Sequence, residues 1–317
     1  MVTTHTPSMK AIRFHEYGGP DVLKYENMPR PVPQHCQVLI QVRAASVNPL
    51  DWKIREGWLA SMIPLQLPAL VGTDMAGVVM ATGQGVTDFR IGQDVYGFVG
   101  IGGGAYAEYT TAAIETIAPQ PQTLDYVQAA SVPLVATTAW QALFEAGGLK
   151  EAQTVLIHGG AGGVGTFAVQ LAKMKGVHVL VTASGQNVEF VKGLGADEVI
   201  DYTTTPFETV AHHVDVVLDL IGGETQQRSW GVLKPGGILV SAVEPPSQED
   251  ATKHRVRAAF VQALPTTGLL KEFARMLDSG QIKPHVGKVF PMEQARQAQE
   301  LNQHGHTRGK IVLEIAH

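Results

Sequence analysis

Residues 159–165 read GGAGGVG and follow directly on the apolar run TVLIH. Within them, residues 160–165 fit G-x-G-x-x-G, and the apolar run before, the helical pattern after and a second apolar run, HVLVT, give that pattern its setting. In such a setting the glycines are expected to cradle the pyrophosphate of a dinucleotide. Gly160 would permit the tight turn, Gly162 would leave the backbone open to the phosphates, and Gly165 would let the helix lie close to the sheet. The backbone of Gly163, Val164 and Gly165 opens that helix. Its positive dipole end and unpartnered N–H groups suit a doubly charged ligand.

The next run ends in TASGQN, residues 182–187, where an acid would bond the ribose 2′-hydroxyl of NAD. No acid is present, and the first carboxylate is Glu189 in the following helix. Ser184, Asn187 and the amides around Gly185 are suited to a 2′-phosphate, so NADPH is expected rather than NADH, although no Arg or Lys lies in that loop. Two further strand ends should border the cofactor: Ile221-Gly222 after VVLDL, and Ser241-Ala242-Val243 after ILV.

These residues need elements to hold them. Residues 154–241 alternate strand and helix: TVLIH, GTFAVQLAKMKG, HVLVTA, NVEFVKGLG, EVIDY, VDVVLDL, QQRSWGVLKPGG and ILVSAV. That rhythm predicts a parallel doubly wound sheet, with HRVRAAFVQ as a sixth strand. DYVQAASVPLVATTAWQALFEAGG reads as two helices broken at VP, and LLKEFARMLDSGQI as an amphipathic helix. Before them, MKAIRFHEY, CQVLIQVRAASV, AGVVMAT, DVYGFVG and AYAEYTT are short β-like runs separated by Gly and Pro, which predicts an antiparallel, barrel-like domain. The last stretch returns to β–α–β character and ends in GKIVLEIA; residues 1–8 read as a loose tail, the first strand beginning at Met9.

The bulk numbers bound the classes. The chain has 317 residues, 44% hydrophobic and 17% charged, with a net charge of −5. Such a chain has ample material for a core. Without a basic block, no nucleic-acid partner is expected. No apolar stretch is long enough to span a bilayer and the N-terminus carries no signal-peptide pattern, so a cytoplasmic location with no membrane partner is expected. Cys36 is the only cysteine, so there is no internal disulfide and no thiolate cluster, and it reads as a packed thiol. Among twelve histidines there is no HExxH; His212, His213, His304 and His306 read as solvated.

SVNPLDWKIREG (46–57), LVGTDMAGVV (70–79), AASVPLVATTAWQAL (129–143), the glycine loop, LGADEVIDY (194–202), LKPGGILVS (233–241) and HTRGKIVLE (306–314) together resemble the medium-chain dehydrogenase/reductase superfamily. In detail they are similar to its zinc-free quinone oxidoreductase branch, which holds zeta-crystallin-like proteins and alkenal/enone reductases. The resemblance implies an α/β protein. A GroES-like β-rich catalytic domain (1–128 and 283–317) would join a Rossmann NADP-binding domain (129–282) with a six-stranded parallel sheet. Zinc-dependent relatives hold their metal with Cys where this chain has Asn48, and with His-Glu where it has Thr73-Asp74. Asn and Thr are not zinc ligands, so no metal is expected.

Without a Lewis acid, hydride addition to an already electrophilic conjugated carbon is the easier reaction. The resemblance therefore implies a zinc-independent, NADPH-dependent oxidoreductase acting on quinones or on the activated C=C bonds of α,β-unsaturated carbonyls. Asn48, in the old ligand position, would face the nicotinamide and bond substrate or ribose. Lys53, where many relatives carry Tyr, would stabilise an enolate or donate its proton, or is a plain surface lysine; Asp51 would pair with a neighbouring cation or cap a helix. Thr138 matches a position beside the nicotinamide and Tyr202 one near the 2′-phosphate. Arg308 and Lys310 would contact phosphate or stand as solvated rim charges, and Trp52 and Trp58 would line a substrate pocket or pack internally. A homodimer formed through the edge strand near 255–261 is implied as well. The alternatives are an enoyl-thioester reductase and a non-catalytic, crystallin-like nucleotide binder.

Overall fold

A computed structural model of the chain describes residues 7–305 and 307–316; residues 1–6, His306 and His317 lie outside them. Most of the expected loose tail therefore falls outside the description. Its last two residues are paired: Pro7 accepts a hydrogen bond from the Arg30 N–H, and strand Ser8–Phe14 begins opposite Pro29. The chain divides into two compact units. One takes the described residues up to Leu134, then Pro265–Asp278 and the described residues from Pro284 on; the other takes Val135–Leu264 and Ser279–Lys283.

The first unit is built on Gln37–Val47, an eleven-residue strand buried along most of its length. Alternating Val38, Ile40 and Val42 fill a core with Phe14, Met75, Val79, Tyr106 and Ile117. In the seven-stranded sheet the order is Val286–Pro291, Lys310–Glu314, Gln37–Val47, Asp74–Thr82, Asp94–Phe98 and Ile117–Pro119, with Tyr109–Ala113 also pairing to Gln37–Val47. All pairs are antiparallel except Val286–Pro291 with Lys310–Glu314. A second, three-stranded sheet joins Leu23–Pro29, Ser8–Phe14 and Ala69–Leu70. The register positions the site: Ser46 lies opposite Asp74 on one side and Val312 on the other, and Val47 lies opposite Ile311. The residue that follows, Asn48, thereby meets the strand end at Lys310.

The second unit is the expected parallel sheet of six strands, in the order Glu198–Asp201, His178–Ala183, Thr154–His158, Val214–Asp219, Leu233–Ser241, Arg257–Phe260. Thr154–His158 is buried in four of its five residues, as a strand covered on both faces must be. Connections run to opposite sides from Thr154–His158 and Val214–Asp219, so the carboxyl ends of these two strands form the topological switch point. Helix Gly163–Met174 buries Phe167, Ala168, Leu171 and Ala172, the face its spacing predicted.

Three local features differ from expectation. KPGG, read as a turn before the strand, is taken up within Leu233–Ser241 as an irregularity, the register stepping from Val214–Leu233 to Val216–Ile238. The second of the two helices broken at VP runs over Pro133–Trp140 and widens into a π-helical turn, Gln141–Ala146, closed by Gly147 N–H donating to the Ala142 carbonyl. Helix Thr267–Asp278, expected with the dinucleotide domain, groups with the first unit. The Tyr96 hydroxyl donates to the Leu270 carbonyl at 2.6 Å, that of Thr267 to the Ile114 carbonyl at 2.6 Å, and Asp278 accepts from Thr123. Among the described residues no helix is long and apolar enough to cross a membrane.

Tyr96 is fully buried and burial pushes its hydroxyl far up, so it stays protonated as a donor. Tyr96→Phe should therefore cost about 1–2 kcal/mol in urea denaturation, with early hydrogen exchange in Thr267–Asp278.

Candidate active and cofactor site

In the first unit, strand Gln37–Val47 delivers Asn48 to the start of helix Pro49–Arg55. Asn48 is 1% exposed. Its Nδ2 donates to Thr73 Oγ1 at 3.2 Å and to Asp74 Oδ2 at 3.0 Å, and its Oδ1 accepts from Lys310 Nζ at 2.5 Å. The Lys310 ammonium also donates to the Val47 carbonyl at 2.7 Å. Asp51, one helical turn on, accepts the Asn48 N–H at 2.8 Å and the Tyr106 hydroxyl at 2.8 Å, and lies 3.3 Å from Thr73 Oγ1. Ser46 donates to Asp74 Oδ2 at 3.1 Å, whereas Asp74 Oδ1 is buried with no hydrogen-bond partner.

The electrostatics follow from burial. Two carboxyls and one ammonium share a site from which water is excluded. Burial raises Asp51 to about 7 despite the Asn48 and Tyr106 donors, and it raises Asp74 against the opposing pull of Lys310. Burial lowers Lys310 to about 8, although both carboxylates hold it up. One ammonium compensates one carboxylate. Lys310 opposes the rise of both carboxyls.

This geometry bears on four expectations. Asn48 has both amide groups engaged inside the unit, so it is a hub rather than an exposed donor. Lys310 is 4% exposed and is not a rim charge. Lys53 stays out of this set of bonds: its ammonium lies 5.7 Å from the Trp52 ring and 5.8 Å from the Trp58 ring, two rings packed edge to face at 5.2 Å. Trp58, 61% exposed, is not internal packing. Arg308 is exposed, and partial burial together with the Arg308 charge lowers His285. Tyr106 and Ser46 were not singled out in advance; Tyr106 reaches Asp51 from the stretch before strand Tyr109–Ala113, and strand pairing sets Ser46 against Asp74.

In the second unit the glycines divide their work differently from expectation. The turn conformation falls on Gly159, at φ 78°. Gly160 is required by packing, since a Cβ there would lie 1.9 Å from Val181 Cγ1. A Cβ on Gly165 would strike the Gly159 carbonyl at 2.3 Å, as expected of a helix pressed close. At Gly162 a Cβ would meet only the Gly159 carbonyl, at 3.5 Å, and would otherwise project into open space. That vacant side, at the N-terminus of helix Gly163–Met174, fits a dinucleotide pyrophosphate.

The strand ends around it are tied by side chains. Asp219, fully buried, accepts from the N–H groups of Ile221 and Gly222 and from Gln226 Nε2 and Ser241 Oγ. Ser241 Oγ in turn accepts from the Val243 N–H, and the Ala242 N–H donates to the Asp219 carbonyl. Asp219 thus sets both expected cofactor borders, and no local motif announced it. Asn187 Nδ2 donates to Ser184 Oγ at 3.0 Å, and Tyr202 is 51% exposed. Thr138 is buried in helix Pro133–Trp140. The loop 182–187 does have an acid beside it, supplied by the next strand: Ala183 pairs with Asp201, whose carboxylate lies 2.6 Å from where a Gly185 Cβ would be. Thr203 donates to that carboxylate through its hydroxyl and N–H, and with the Gly185 N–H these donors hold Asp201 low.

Residues 34–122 match the model of the alcohol dehydrogenase GroES-like domain, and residues 194–313 that of the zinc-binding dehydrogenase domain. The quinone oxidoreductase of Mus musculus is 34% identical over 96% of this chain and 97% of its own length. The 2-methylene-furan-3-one reductase of Solanum lycopersicum is 35% identical over 96% of this chain and 79% of its own. The solved quinone oxidoreductase of Coxiella burnetii superposes with a TM-score of 0.91 at 37% identity, covering 98% of this chain and 100% of that one. A zinc ion, which one matching description implies, does not fit the residues here. The corresponding position offers an amide already bonded at both ends, a hydroxyl, one carboxylate and a buried ammonium, and zinc needs thiolate, imidazole or carboxylate donors.

Two predictions follow from the two units. Unfolded, Asp51 loses its proton near 3.8; folded, it keeps it to about 7. Through that window the folded state binds more protons, so stability falls as pH rises and levels off above it. Asp51→Asn, which carries the neutral arrangement at every pH, should remove a fall on the order of 1–4 kcal/mol in urea titrations from about pH 4 to about pH 8; an unchanged slope would assign the cluster a different protonation. Gly162→Ala should keep stability within about 0.5 kcal/mol and weaken dinucleotide binding at least about tenfold, whereas Gly165→Ala should lose about 1–3 kcal/mol. Calorimetry with and without dinucleotide separates the two.

Proposed function

We propose that this chain, which belongs to the quinone oxidoreductase branch of the medium-chain dehydrogenase/reductase superfamily, transfers hydride from NADPH, without zinc, to conjugated acceptors: quinones or the C=C bonds of α,β-unsaturated carbonyls. The observation that carries this reading is the hydrogen-bonded set Asn48–Thr73–Asp74–Lys310, whose donors are engaged with one another and do not make a zinc site. An acceptor that is electrophilic by its own conjugation suits such a protein, because its developing charge spreads to a distant oxygen that needs only hydrogen-bond donors.

The bound dinucleotide would supply the hydride, and the remaining work falls to this chain's residues. Gly162, Gly163, Val164 and Gly165 would present backbone to the pyrophosphate. Ile221, Gly222, Ala242 and Val243, held by Asp219 and Ser241, would border the cofactor, with Thr138 beside the nicotinamide. Ser184, Asn187 and Tyr202 would receive the 2′-phosphate. Asp201, held ionised beside that loop by its donors, would work against a 2′-phosphate, so the choice between NADPH and NADH rests on the test below. Arg308, which is exposed, would contact a phosphate. Lys53 would hydrogen-bond the substrate oxygen and return a proton to the enolate. Asn48 and Lys310 would shape the site from beneath rather than touch substrate. Strand Arg257–Phe260 ends the six-stranded sheet, and a second copy of the chain would pair there to form a homodimer.

Absorbance loss of NADPH and NADH, followed with chelator-treated protein offered a quinone and a simple enone side by side, tests the proposal. The expected result is turnover with NADPH at least about tenfold more efficient than with NADH, unaffected by chelator. Turnover that requires added zinc would overturn it. NADPH binding without oxidation by either acceptor would leave a binding protein rather than an enzyme.

A further inference from the structure

The residue just before the glycine loop, His158, is fully buried at the end of strand Thr154–His158, with its ring edge-on to Phe207 at 4.6 Å between centroids. Its Nδ1 lies 3.1 Å from Thr182 Oγ1 and its Nε2 3.0 Å from Ser229 Oγ. The proton positions follow from the ends of this chain of contacts. Ser229 Oγ is 2.6 Å from the Thr225 carbonyl, which can only accept, so the single Ser229 hydroxyl proton points there. Ser229 Oγ must then accept from His158, and the imidazole carries its proton on Nε2. Burial takes this imidazole down to about 4, so it is neutral and Nδ1 is an acceptor. The Thr182 hydroxyl proton therefore points to Nδ1. That leaves a Thr182 lone pair for the Gly159 N–H, which donates to it at 3.3 Å. The Thr182 carbonyl meanwhile accepts the Gly160 N–H at 3.1 Å.

We propose that His158 is a positioning residue for the dinucleotide. Its Nε2–H tautomer orders a one-way relay, from Gly159 N–H to Thr182 to His158 to Ser229 to the Thr225 carbonyl, which holds the Gly159 amide at the entry to the glycine loop in the geometry that presents Gly162 to the pyrophosphate. The relay matters because Gly159 sits at positive φ and glycines impose no conformation of their own. Nothing in the loop's side chains can fix it, so its entry must be fixed from the neighbouring strand. With the opposite tautomer, the Nε2 lone pair would face a Ser229 oxygen whose proton is already given to Thr225.

The positioning role rests on dinucleotide binding as proposed above; the tautomer does not. The test begins with nitrogen-15 spectra of histidine-labelled protein, in which the His158 signals are identified by their loss in His158→Phe. A neutral Nε2–H ring is expected, and an Nδ1–H or charged ring at neutral pH overturns the relay. Next, NADPH binding is measured for Thr182→Val, which keeps the side-chain volume and removes the hydroxyl. Its Kd and KM should rise about three- to tenfold, more than kcat falls, and Thr182→Ser should restore both. An unchanged Kd for Thr182→Val, with wild-type protein binding NADPH normally, overturns the positioning role. Wild-type protein that binds no NADPH overturns instead the function on which that role rests.

Discussion

A single buried ammonium organises the first unit's polar centre. Lys310 has no water to solvate it, so it can keep its proton only by donating to the Val47 carbonyl and Asn48 Oδ1 beside the Asp74 carboxylate. That demand fixes which way the Asn48 amide faces. With Oδ1 toward Lys310, Nδ2 must point to Thr73 and Asp74. Desolvating these groups is costly, and truncating one of them would strand its partner in a dry site. The arrangement is therefore better understood as a device for one conformation at the end of strand Gln37–Val47 than as a source of net stability. Two strand registers make it possible, Ser46 against Asp74 and Val47 against Ile311.

The second unit solves a related problem by related means. Its ligand-facing segments are loops at strand ends, rich in glycine and poor in side chains, and such loops do not hold themselves. Two buried side chains do the holding. Asp219 gathers the N–H groups of Ile221 and Gly222 and the Ser241 hydroxyl, and His158 acts through Thr182 on the entry to the glycine loop. Both occupy the last position of a parallel strand, on either side of the switch point. A residue there is held by the sheet and can reach a loop that is not. Full satisfaction of each network is what makes it specific, since a buried polar group left unpaired is penalised by far more than one hydrogen bond adds.

The local part of this design could be read in advance and the register-dependent part could not. Strand–helix alternation over 154–241 and the glycine spacing are short-range patterns, and they placed all six strands of the parallel sheet and the turn in which Gly162 has an open side. The turn assigned to Gly160 belongs to Gly159, because Gly160 is constrained by Val181, a contact across strands that spacing cannot show. Asp201 escaped notice for the same reason: it is far from Ser184 along the chain and becomes its neighbour only through the pairing of Ala183 with Asp201. The resemblance implies a phosphate contact or a rim charge at Lys310; its burial depends on the antiparallel pairing of Ile311 with Val47, which spacing cannot show. Helix Thr267–Asp278 has an unmistakable apolar face, but a periodic pattern does not say what that face covers.

The description of the matched family as zinc-binding and the donor set found here differ at Asn48 and at Thr73-Asp74, and on the proposed function the difference redirects the chemistry instead of abolishing it. A metal at the Asn48 position would concentrate positive charge on a substrate oxygen. Lys310 places a unit of positive charge near the same point, but its donors are spent on Val47 and Asn48, so that charge reaches a substrate only through the amide it orients. What remains available is a shaped and polarised surface, with the half-buried Lys53 beside its two tryptophans as the neighbouring cationic group. Such a surface stabilises a charge that is already delocalised far better than one localised on a single oxygen. An amide and a hydroxyl in the metal-ligand positions, with a buried ammonium beside them, would on the proposed function suit acceptors that bring their own conjugation, which is the chemistry that quinones and enones share.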